Sequence, residues 1–264
     1  MDSPAMKAGI QSGDVIVGMK GEEITSFADY HAALLSCEPD TTVTVTVMRQ
    51  GQEEYQEMEN SKSKRVLVID NHDSFVYNLV QILRENKDCQ FDIVYNDRID
   101  FSTIDRYDKL LLSPGPGIPS EAGDLLPLID RCKETHSILG VCLGHQAIAE
   151  CFGARLQQLS HPKHGHESPL TIVDRGDILY RGMTYPVQVG RYHSWIINPN
   201  TLPASLKVSA LDEEGHIMSF YHETLPIHGV QFHPESIITR QGRGMINNWL
   251  DANENKNNGL STHK

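Results

Sequence analysis

Cys142 is the residue whose type and neighbours most clearly predict nucleophilic chemistry. It lies in Gly140-Val-Cys-Leu-Gly144, between an apolar stretch typical of a strand and a stretch typical of a helix. A nucleophile between two glycines at such a turn is typical of a nucleophile elbow, because glycine permits a tight turn and close backbone approach. The N-terminus of the following helix would stabilise a negatively charged sulfur. Taken alone, the motif also fits a buried structural cysteine beside two incidental glycines.

A candidate base and its orienting acid lie two residues apart in Gly229-Val-Gln-Phe-His-Pro-Glu-Ser236, at the end of an apolar strand. Residues i and i+2 of an extended segment face the same side, so Glu235 could hold the His233 ring in the tautomer that a base needs. A Cys–His–acid relay follows the logic of the serine triads. By itself, a His-x-Glu at a strand end also fits a solvated loop.

A third motif, Ser113-Pro-Gly-Pro-Gly117, follows another apolar strand. Gly115 and Gly117 could direct backbone N–H groups at a developing oxyanion, together with the N–H of Leu143. A rigid turn would explain the motif equally well in isolation. All three motifs, however, fall at the carboxyl ends of strands in one predicted sheet, where open α/β sheets place their sites. Their joint occurrence therefore favours catalysis.

The elements that must position these residues alternate between apolar strands and amphipathic helices from Lys64 to about Arg155. This pattern predicts an α/β fold with a doubly wound, mostly parallel, flavodoxin-like sheet and a strand-rich C-terminal half. A last helix is expected over about 239–250. The other predicted helices are one that Asp73 or Ser74 caps and two that begin at Leu125 and at His145. The predicted strands are 66–69, 91–95, 109–112, 138–141, 170–173, 187–189, 195–197, 207–210, 216–221 and 227–232.

The first 60 residues predict a separate small α+β domain. A strand over 14–19 precedes a helix over 27–36 with Ser26 as its N-cap, and the alternating run 42–48 predicts a strand with one buried face. The polar stretch 53–65 has no core pattern and reads as a linker. We expect domains at 1–60 and 65–252, a linker at 61–64 and a polar tail at 253–264.

The charge distribution also separates the two parts. The formal net charge is −12, and the first 60 residues carry three Lys or Arg against eleven Asp or Glu, a net of −8. Phosphate binding needs clustered Lys and Arg, so we expect no nucleic-acid partner. No run of about 18 apolar residues is present, so no membrane span or membrane partner is expected.

The five cysteines are widely spaced and form no C-x-x-C pair. A disulfide framework or a zinc site is therefore not expected, and a reducing, cytoplasmic location fits better. Three closely spaced histidines, 161, 164 and 166, have no further ligand at metal spacing, so we expect neither a metal nor a cofactor. We interpret Cys89, Cys132, Cys151 and His145 as structural.

From about Val66 to Leu250 the sequence resembles the class I (triad) glutamine amidotransferases, and within them the small subunits of anthranilate synthase and aminodeoxychorismate synthase. The stretches that carry the resemblance are Leu67-Val-Ile-Asp-Asn-His-Asp-Ser-Phe75, Leu112-Ser-Pro-Gly-Pro-Gly-Ile-Pro-Ser-Glu-Ala-Gly123, Ile138-Leu-Gly-Val-Cys-Leu-Gly-His-Gln-Ala-Ile148, Arg191-Tyr-His-Ser194 and Gly229-Val-Gln-Phe-His-Pro-Glu-Ser-Ile237.

The resemblance implies that Cys142 attacks the glutamine carboxamide to give a glutamyl thioester, with His233 as base and then acid, oriented by Glu235. It also implies a glutamine pocket. Its members would be Gly115, Pro116, Gly117 and Leu143 around the oxyanion, Gln146 on the glutamine side, and Ser194 with Trp195 at the α-amino and carboxylate end through the backbone.

The sequence departs from the family pattern twice. Trp195 stands where Leu is usual, which a backbone contact would tolerate. His164-Gly-His-Glu-Ser168 stands where His-Gly-Lys-Thr-Ser is usual. That loop is expected near the partner subunit, so the departure bears on activation by the partner and not on thioester chemistry.

Residues 3–58 resemble the second half of a PDZ domain, with Ala8-Gly-Ile-Gln-Ser-Gly-Asp-Val-Ile-Val17 as the clearest match. An upstream strand and a carboxylate-binding loop are missing. Because a PDZ domain binds a peptide as an added strand, we expect a partial segment with no defined binding role.

The function implied is the glutaminase subunit of anthranilate synthase, in tryptophan biosynthesis, which delivers ammonia to a chorismate-binding synthase subunit in a hetero-oligomer. Aminodeoxychorismate synthase, in folate and p-aminobenzoate biosynthesis, stays open as an alternative, as does a subunit shared by both. A PDZ-type peptide-binding adaptor is the alternative from another class.

Overall fold

The computed structural model describes Ala5 and residues 8–37, 41–60 and 64–252. The chain divides into two compact units, residues 1–63 and 64–264. Of the predicted linker 61–64, only Lys64 is described, as the first residue of a strand, and the predicted tail 253–264 lies outside the described residues. Among the described helices, none has the length and apolar character needed to cross a membrane.

In its described residues, the first unit has an antiparallel sheet with strand order β2-β1-β3-β4 and the helix α1. The elements are β1 (Val15–Met19), β2 (Glu22–Glu23), α1 (Phe27–Leu35), β3 (Thr41–Arg49) and β4 (Gln52–Asn60). Ser26 caps α1 as predicted, since its side chain accepts a hydrogen bond from the Asp29 N–H at 3.1 Å. The alternation in β3 buries Val43, Val45 and Val47, which confirms the predicted one-sided strand.

The interpretation of 53–65 as a linker is wrong for most of its length, because residues 52–60 form β4. Nine consecutive residues of β4 pair with β3. The connection is Gln50–Gly51, and both residues have positive φ, 51° and 81°, as a tight two-residue hairpin requires. A strand at a sheet edge can form through backbone pairing alone, so its polar sequence carries no core pattern.

The second unit contains a nine-stranded sheet with order β11-β10-β13-β14-β15-β8-β7-β5-β6. The strands β15, β8, β7, β5 and β6 pair in parallel, and the others extend the sheet through antiparallel pairs. This arrangement confirms the predicted α/β fold with a strand-rich C-terminal half. The bounds are β5 (Lys64–Asp70), β6 (Cys89–Tyr95), β7 (Lys109–Leu112), β8 (Ser137–Val141), β10 (His166–Ile172), β11 (Val187–Arg191), β13 (Leu206–Leu211), β14 (Ile217–His222) and β15 (Ile227–Val230).

Helices cover both faces of the parallel strands. Alternate residues of β5 lie in two separate hydrophobic cores. Val66 and Val68 lie in the core that contains residues of α2 and α5. Leu67 and Ile69 lie in the core that contains residues of α3 and α4. Strands buried on both faces account for the continuous apolar runs in the sequence. The helices are α2 (Val76–Glu85), α3 (Leu125–Cys132), α4 (Leu143–Cys151) and α5 (Gly242–Asp251).

Some predicted boundaries are wrong. The helix expected to be capped by Asp73 or Ser74 begins at Val76, and its N-cap residue Phe75 makes no capping bond through its side chain. Asp73 instead accepts the Phe75 N–H at 3.2 Å within the preceding turn. The helix α4 begins at Leu143 and not at His145, which places its free N–H groups directly after the candidate nucleophile. A small two-stranded sheet of β9 (Leu156–Gln158) and β12 (Trp195–Ile197) includes one strand that the sequence analysis missed.

Candidate active site

The turn between β8 and α4 holds Cys142 in a strained backbone conformation. Its φ is +51° and its ψ is −98°, which a residue with a Cβ rarely adopts. The Cys142 N–H donates to the Val230 carbonyl at 2.8 Å, so the turn is tied to the neighbouring strand β15. The side chain is 6% exposed. These features confirm the strained strand-to-helix turn that the sequence predicts at Cys142.

The two glycines of the elbow are required by close packing. A Cβ on Gly140 would lie 2.5 Å from the carbonyl carbon and oxygen of Gly144. A Cβ on Gly144 would lie 2.6 Å from the Leu112 carbonyl oxygen, at the end of β7. Glycine at both positions therefore lets α4 start directly against the strand ends.

His233 and Glu235 form a buried pair just beyond β15. His233 Nδ1 lies 2.6 Å from Glu235 Oε1, and both side chains are almost fully buried. The His233 backbone is fixed from two sides, because its N–H donates to the Gly190 carbonyl at 3.0 Å and its carbonyl accepts from the Thr239 hydroxyl at 2.7 Å. The i, i+2 geometry predicted from the sequence is therefore present.

The second ring nitrogen of His233, Nε2, is buried and has no nitrogen or oxygen partner among the described residues. The neighbour of this ring is the Cys142 thiol. Burial by itself lowers the pKa of His233, but the interaction with Cys142, followed by that with Glu235, outweighs it and holds this pKa well above 6.5. A raised histidine pKa beside a cysteine favours an imidazolium–thiolate pair, the reactive form of a cysteine nucleophile.

The Ser113–Gly117 loop lies against the N-terminus of α4. A Cβ on Gly115 would lie 2.7 Å from Leu143 Cδ2 and 2.6 Å from Asn71 Cβ, so only glycine permits this approach. Gly117 adopts a φ of +73°. Asn71 fixes the start of the loop, since its side-chain amide donates to the Ser113 carbonyl at 2.8 Å and its N–H donates to the Ser113 hydroxyl at 2.9 Å.

Of the residues predicted for the glutamine pocket, Gly115 lies against Leu143 at the elbow, and Gln146 contacts Trp195. The buried Gln146 donates through Nε2 to the Trp195 carbonyl at 2.9 Å. That carbonyl also lies 3.0 Å from His193 Nδ1, so it is occupied within the protein. Trp195 thus contacts Gln146 through its backbone carbonyl and not through its side chain. Ser194 is half-buried, and its carbonyl accepts the Leu159 N–H at 2.8 Å.

Three residues of the site were missed by the sequence analysis. Gln231 is fully buried and directs its amide nitrogen at Cys142 Sγ, 3.7 Å away. Asn71 holds the glycine-rich loop. Burial raises the pKa of Asp73, whose carboxyl interacts with the charges on His233 and Glu235. Each of the three follows the carboxyl end of a parallel strand. Sites in α/β sheets lie at these strand ends, so this position in the sequence could have identified them.

The other cysteines do not show the environment of an activated thiol. None of the five forms a disulfide, and burial raises the pKa of Cys89, Cys132 and Cys151 to about 11. His145 is fully buried against the Phe220 ring, and this burial lowers its pKa to about 3. These residues fit the structural roles expected for them.

One group of described residues has the spacing of a metal site: Asp212, Glu214 and His216 offer ligand atoms within 4.8 Å of one another. Its acidic members already have cationic partners. Asp212 Oδ2 lies 2.7 Å from Arg191 Nη1, and Glu214 Oε1 lies 2.7 Å from Lys163 Nζ. The group is therefore better described as part of an ion-pair network than as a cation site.

Comparison with known proteins gives two family matches. Residues 67–252 match the family model of class-I glutamine amidotransferases, and residues 1–59 match that of PDZ domains. The chain is 44% identical over 191 residues to anthranilate synthase component 2 of Mycobacterium tuberculosis, covering 70% of this chain and 81% of that protein. It is 43% identical over 189 residues to aminodeoxychorismate/anthranilate synthase component 2 of Bacillus subtilis, covering 71% and 96%.

A relative from Thermotoga maritima named bifunctional protein TrpGD is much longer, and the chain spans 33% of it. In solved structures the fold is similar to a glutamine amidotransferase from the same organism, with a TM-score of 0.60 and 18% identity over 71% of this chain and 96% of that one. The strained Cys142 turn, the buried His233–Glu235 pair and a family match over most of the chain agree with one another. The chain belongs to the class-I glutamine amidotransferase family.

Proposed function

We propose that the chain is the glutamine-hydrolysing subunit of anthranilate synthase. Cys142, His233 and Glu235 meet at the carboxyl ends of the adjacent strands β8 and β15, and this meeting is the observation that carries the proposal. The arrangement supports hydrolysis of L-glutamine by a cysteine nucleophile with a histidine acid–base.

In the first half-reaction, Cys142 Sγ attacks the carboxamide carbon of glutamine and the carbonyl oxygen becomes an oxyanion. Backbone N–H groups of Leu143 and of the Gly115–Gly117 loop would stabilise this charge. The His233 imidazolium then gives its proton to the amide nitrogen, and the C–N bond breaks. The products are ammonia and a glutamyl thioester on Cys142.

In the second half-reaction, water attacks the thioester carbon while His233, now neutral, takes a proton from the water. The C–S bond breaks, glutamate leaves, and the imidazolium–thiolate pair is restored. Glu235 remains ionised and keeps Nδ1 protonated throughout, so that Nε2 carries both proton transfers.

The remaining pocket residues would hold the substrate. Gln146 has its amide nitrogen engaged by Trp195, which leaves Oε1 as the atom it can offer to glutamine. Gly115, Pro116 and Gly117 would line the carboxamide end. Ser194 and Trp195 would contact the α-amino and carboxylate end through their backbone.

The proposed partner is a chorismate-binding synthase subunit that receives the ammonia within a hetero-oligomer. The Mycobacterium relative is named as a component 2, and the chain spans 81% of its length. This supports the partnership, since a component 2 works beside another component. The five cysteines, none of which forms a disulfide, support a cytoplasmic location, where thiols stay reduced.

A second candidate function is the same role in aminodeoxychorismate synthase, or a subunit shared by both synthases. The name of the Bacillus relative, which joins the two activities, favours keeping this candidate. The site chemistry is identical in both cases, because the two functions differ in the partner that uses the ammonia.

For residues 1–60 we propose no binding role. A peptide-binding adaptor is the alternative, and the PDZ match supports considering it. Titration of C-terminal peptides into the full chain separates the two: the proposal expects no saturable binding, whereas binding at micromolar concentration would support the adaptor.

Reconstitution with partners tests the proposed pathway. The purified chain is mixed separately with the chorismate-binding subunits of the two synthases, and glutamine-dependent product is measured. Anthranilate formation with the first subunit, and no aminodeoxychorismate with the second, is the expected result. Activity only with the second subunit would contradict the anthranilate assignment, and activity with both would support a shared subunit. Ammonium chloride in place of glutamine controls for the competence of each synthase.

A further inference from the structure

Gln231 is a buried residue beside the proposed nucleophile, Cys142. It is the first residue after β15, its side chain is fully buried, and its own N–H donates to the Met218 carbonyl at 2.8 Å. Its Nε2 atom lies 3.7 Å from Cys142 Sγ, within hydrogen-bonding reach of a sulfur. The triad mechanism assigns no task to this amide.

The surrounding hydrogen bonds determine which end of the Gln231 amide faces the sulfur. The Trp195 carbonyl can only accept, so the Gln146 atom at 2.9 Å from it must be the amide nitrogen. The second N–H of that nitrogen reaches Gln231 Oε1 at 3.0 Å. The oxygen of Gln231 therefore faces Gln146, and its nitrogen faces Cys142.

The carbonyl that starts this chain of hydrogen bonds is itself held in place. His193 Nδ1 lies 3.0 Å from the Trp195 oxygen, and Arg191 Nε donates to His193 Nε2 at 3.2 Å. A nitrogen that accepts from arginine is unprotonated, so His193 must donate through Nδ1. Its lowered pKa, about 3 through burial and the charge on Arg191, keeps this tautomer neutral.

We propose that Gln231 is a positioning residue for the nucleophile: its amide N–H, aimed by the Trp195 carbonyl through Gln146, points at Cys142 Sγ and favours the thiolate. Hydrogen bonds to a charged acceptor are stronger than those to a neutral one, so this contact stabilises S⁻ more than S–H. Because the amide nitrogen can only donate, it also leaves His233 as the acceptor for the thiol proton. The inference rests on the proposed role of Cys142.

The reactivity of Cys142 towards iodoacetamide, followed by peptide mass spectrometry across pH, tests this role. Gln231→Met keeps the size of the side chain and removes the N–H. We expect the pH midpoint for Cys142 alkylation to rise by about 0.5 to 1 unit, equivalent to roughly 3- to 10-fold slower alkylation below the midpoint. With the partner subunit, kcat for glutamine should fall by a similar factor while KM changes little. The exposed Gln90→Met is the matched control.

The other ionisable groups that face this site are His233 and Glu235 beyond β15, Asp73 after β5 and His193 beyond β11, and all stay in the variants. If Gln231→Met does not fold, Gln231→Asn is measured in the same way, since it keeps an amide but withdraws it from the sulfur. An unchanged pH midpoint for Cys142 alkylation in a folded Gln231 variant would overturn the inference about Gln231. The proposed function would still stand in that case, provided that Cys142→Ala has lost glutaminase activity. Retained activity in Cys142→Ala would overturn both.

Discussion

At the residue scale, the proposed chemistry depends on the charge state of His233. Its ring is buried between a thiol and a carboxylate, and both partners raise its pKa against the effect of burial. An imidazolium that persists through neutral pH is a ready proton donor for the departing ammonia. It should also give the reaction an alkaline limit, because activity falls once His233 loses this proton.

Replacement of Glu235 by Gln tests this electrostatic arrangement. The variant removes a charge that raises the pKa of His233, so the alkaline limb of kcat/KM for glutamine should move to lower pH by about one unit. Since acid–base catalysis typically contributes 10²–10⁴-fold, we expect kcat to fall by roughly 10²-fold. The pH-rate profile is the measurement, and Glu223→Gln, at an exposed carboxylate paired with Lys207, is the control. An alkaline limb that stayed in place would argue against the Glu235–His233 coupling.

The sequence identified residues whose roles depend on local spacing and missed those that act through tertiary contacts. Cys142 and His233 lie in short motifs whose residue types and spacing predict the local backbone geometry. Gln231 lies inside one of these motifs, yet its task depends on Gln146 and Trp195, which come from distant parts of the chain. Asn71 was missed for the same reason, because its partner Ser113 follows a different strand.

At the element scale, the strand-to-helix turn at Cys142 depends on the absence of side chains. The elbow brings α4 so close to β7 and β8 that neither Gly140 nor Gly144 has room for a methyl group. The strained φ of Cys142 is kept because its neighbours are packed and its N–H is bonded to Val230.

Gly140→Ala should therefore damage both stability and activity. Its Cβ would meet backbone atoms that cannot move aside, and we expect a loss of about 2 to 3 kcal/mol in the free energy of unfolding. Gly244→Ala is a matched control within α5, where the nearest atom is the mobile end of Met183 and the gain in helix propensity is up to ~1 kcal/mol. Denaturant unfolding of both variants gives the comparison. Equal stability of the two would contradict the packing argument.

Elements were predicted well where one or both faces are buried. The strands β5, β7 and β8 are short and apolar, and the helices between them show clear periodicity. In contrast, β4 has a polar sequence and is held by backbone pairing with β3. The Gln50–Gly51 turn could have indicated a hairpin and therefore a second strand. The charged residues after the turn have no apolar pattern, so they were interpreted as a linker.

At the scale of the whole molecule, every proposed catalytic and glutamine-binding residue lies in the second unit. That unit has its own two cores, and its first strand begins at Lys64. The first unit has a separate small core built around Met19, Val45 and Val47. The chemistry should therefore not require residues 1–60.

Removal of residues 1–60 tests this separation. Because a domain with its own core can fold alone, the shortened chain should keep kcat/KM for glutamine within about twofold of the full chain when the partner subunit is present. Thermal unfolding checks that the remaining unit is folded. A large loss of activity in a folded, shortened chain would assign the first unit a part in the reaction.

The central claim is that Cys142 is the nucleophile for glutamine hydrolysis. Ammonia release from glutamine, measured with the synthase partner present, compares the full chain with Cys142→Ala and with Cys89→Ala, a half-buried cysteine outside the site. We predict that Cys142→Ala loses at least ~10³-fold in rate because the thioester cannot form, while Cys89→Ala retains its activity. Full ammonia release from Cys142→Ala would contradict the account.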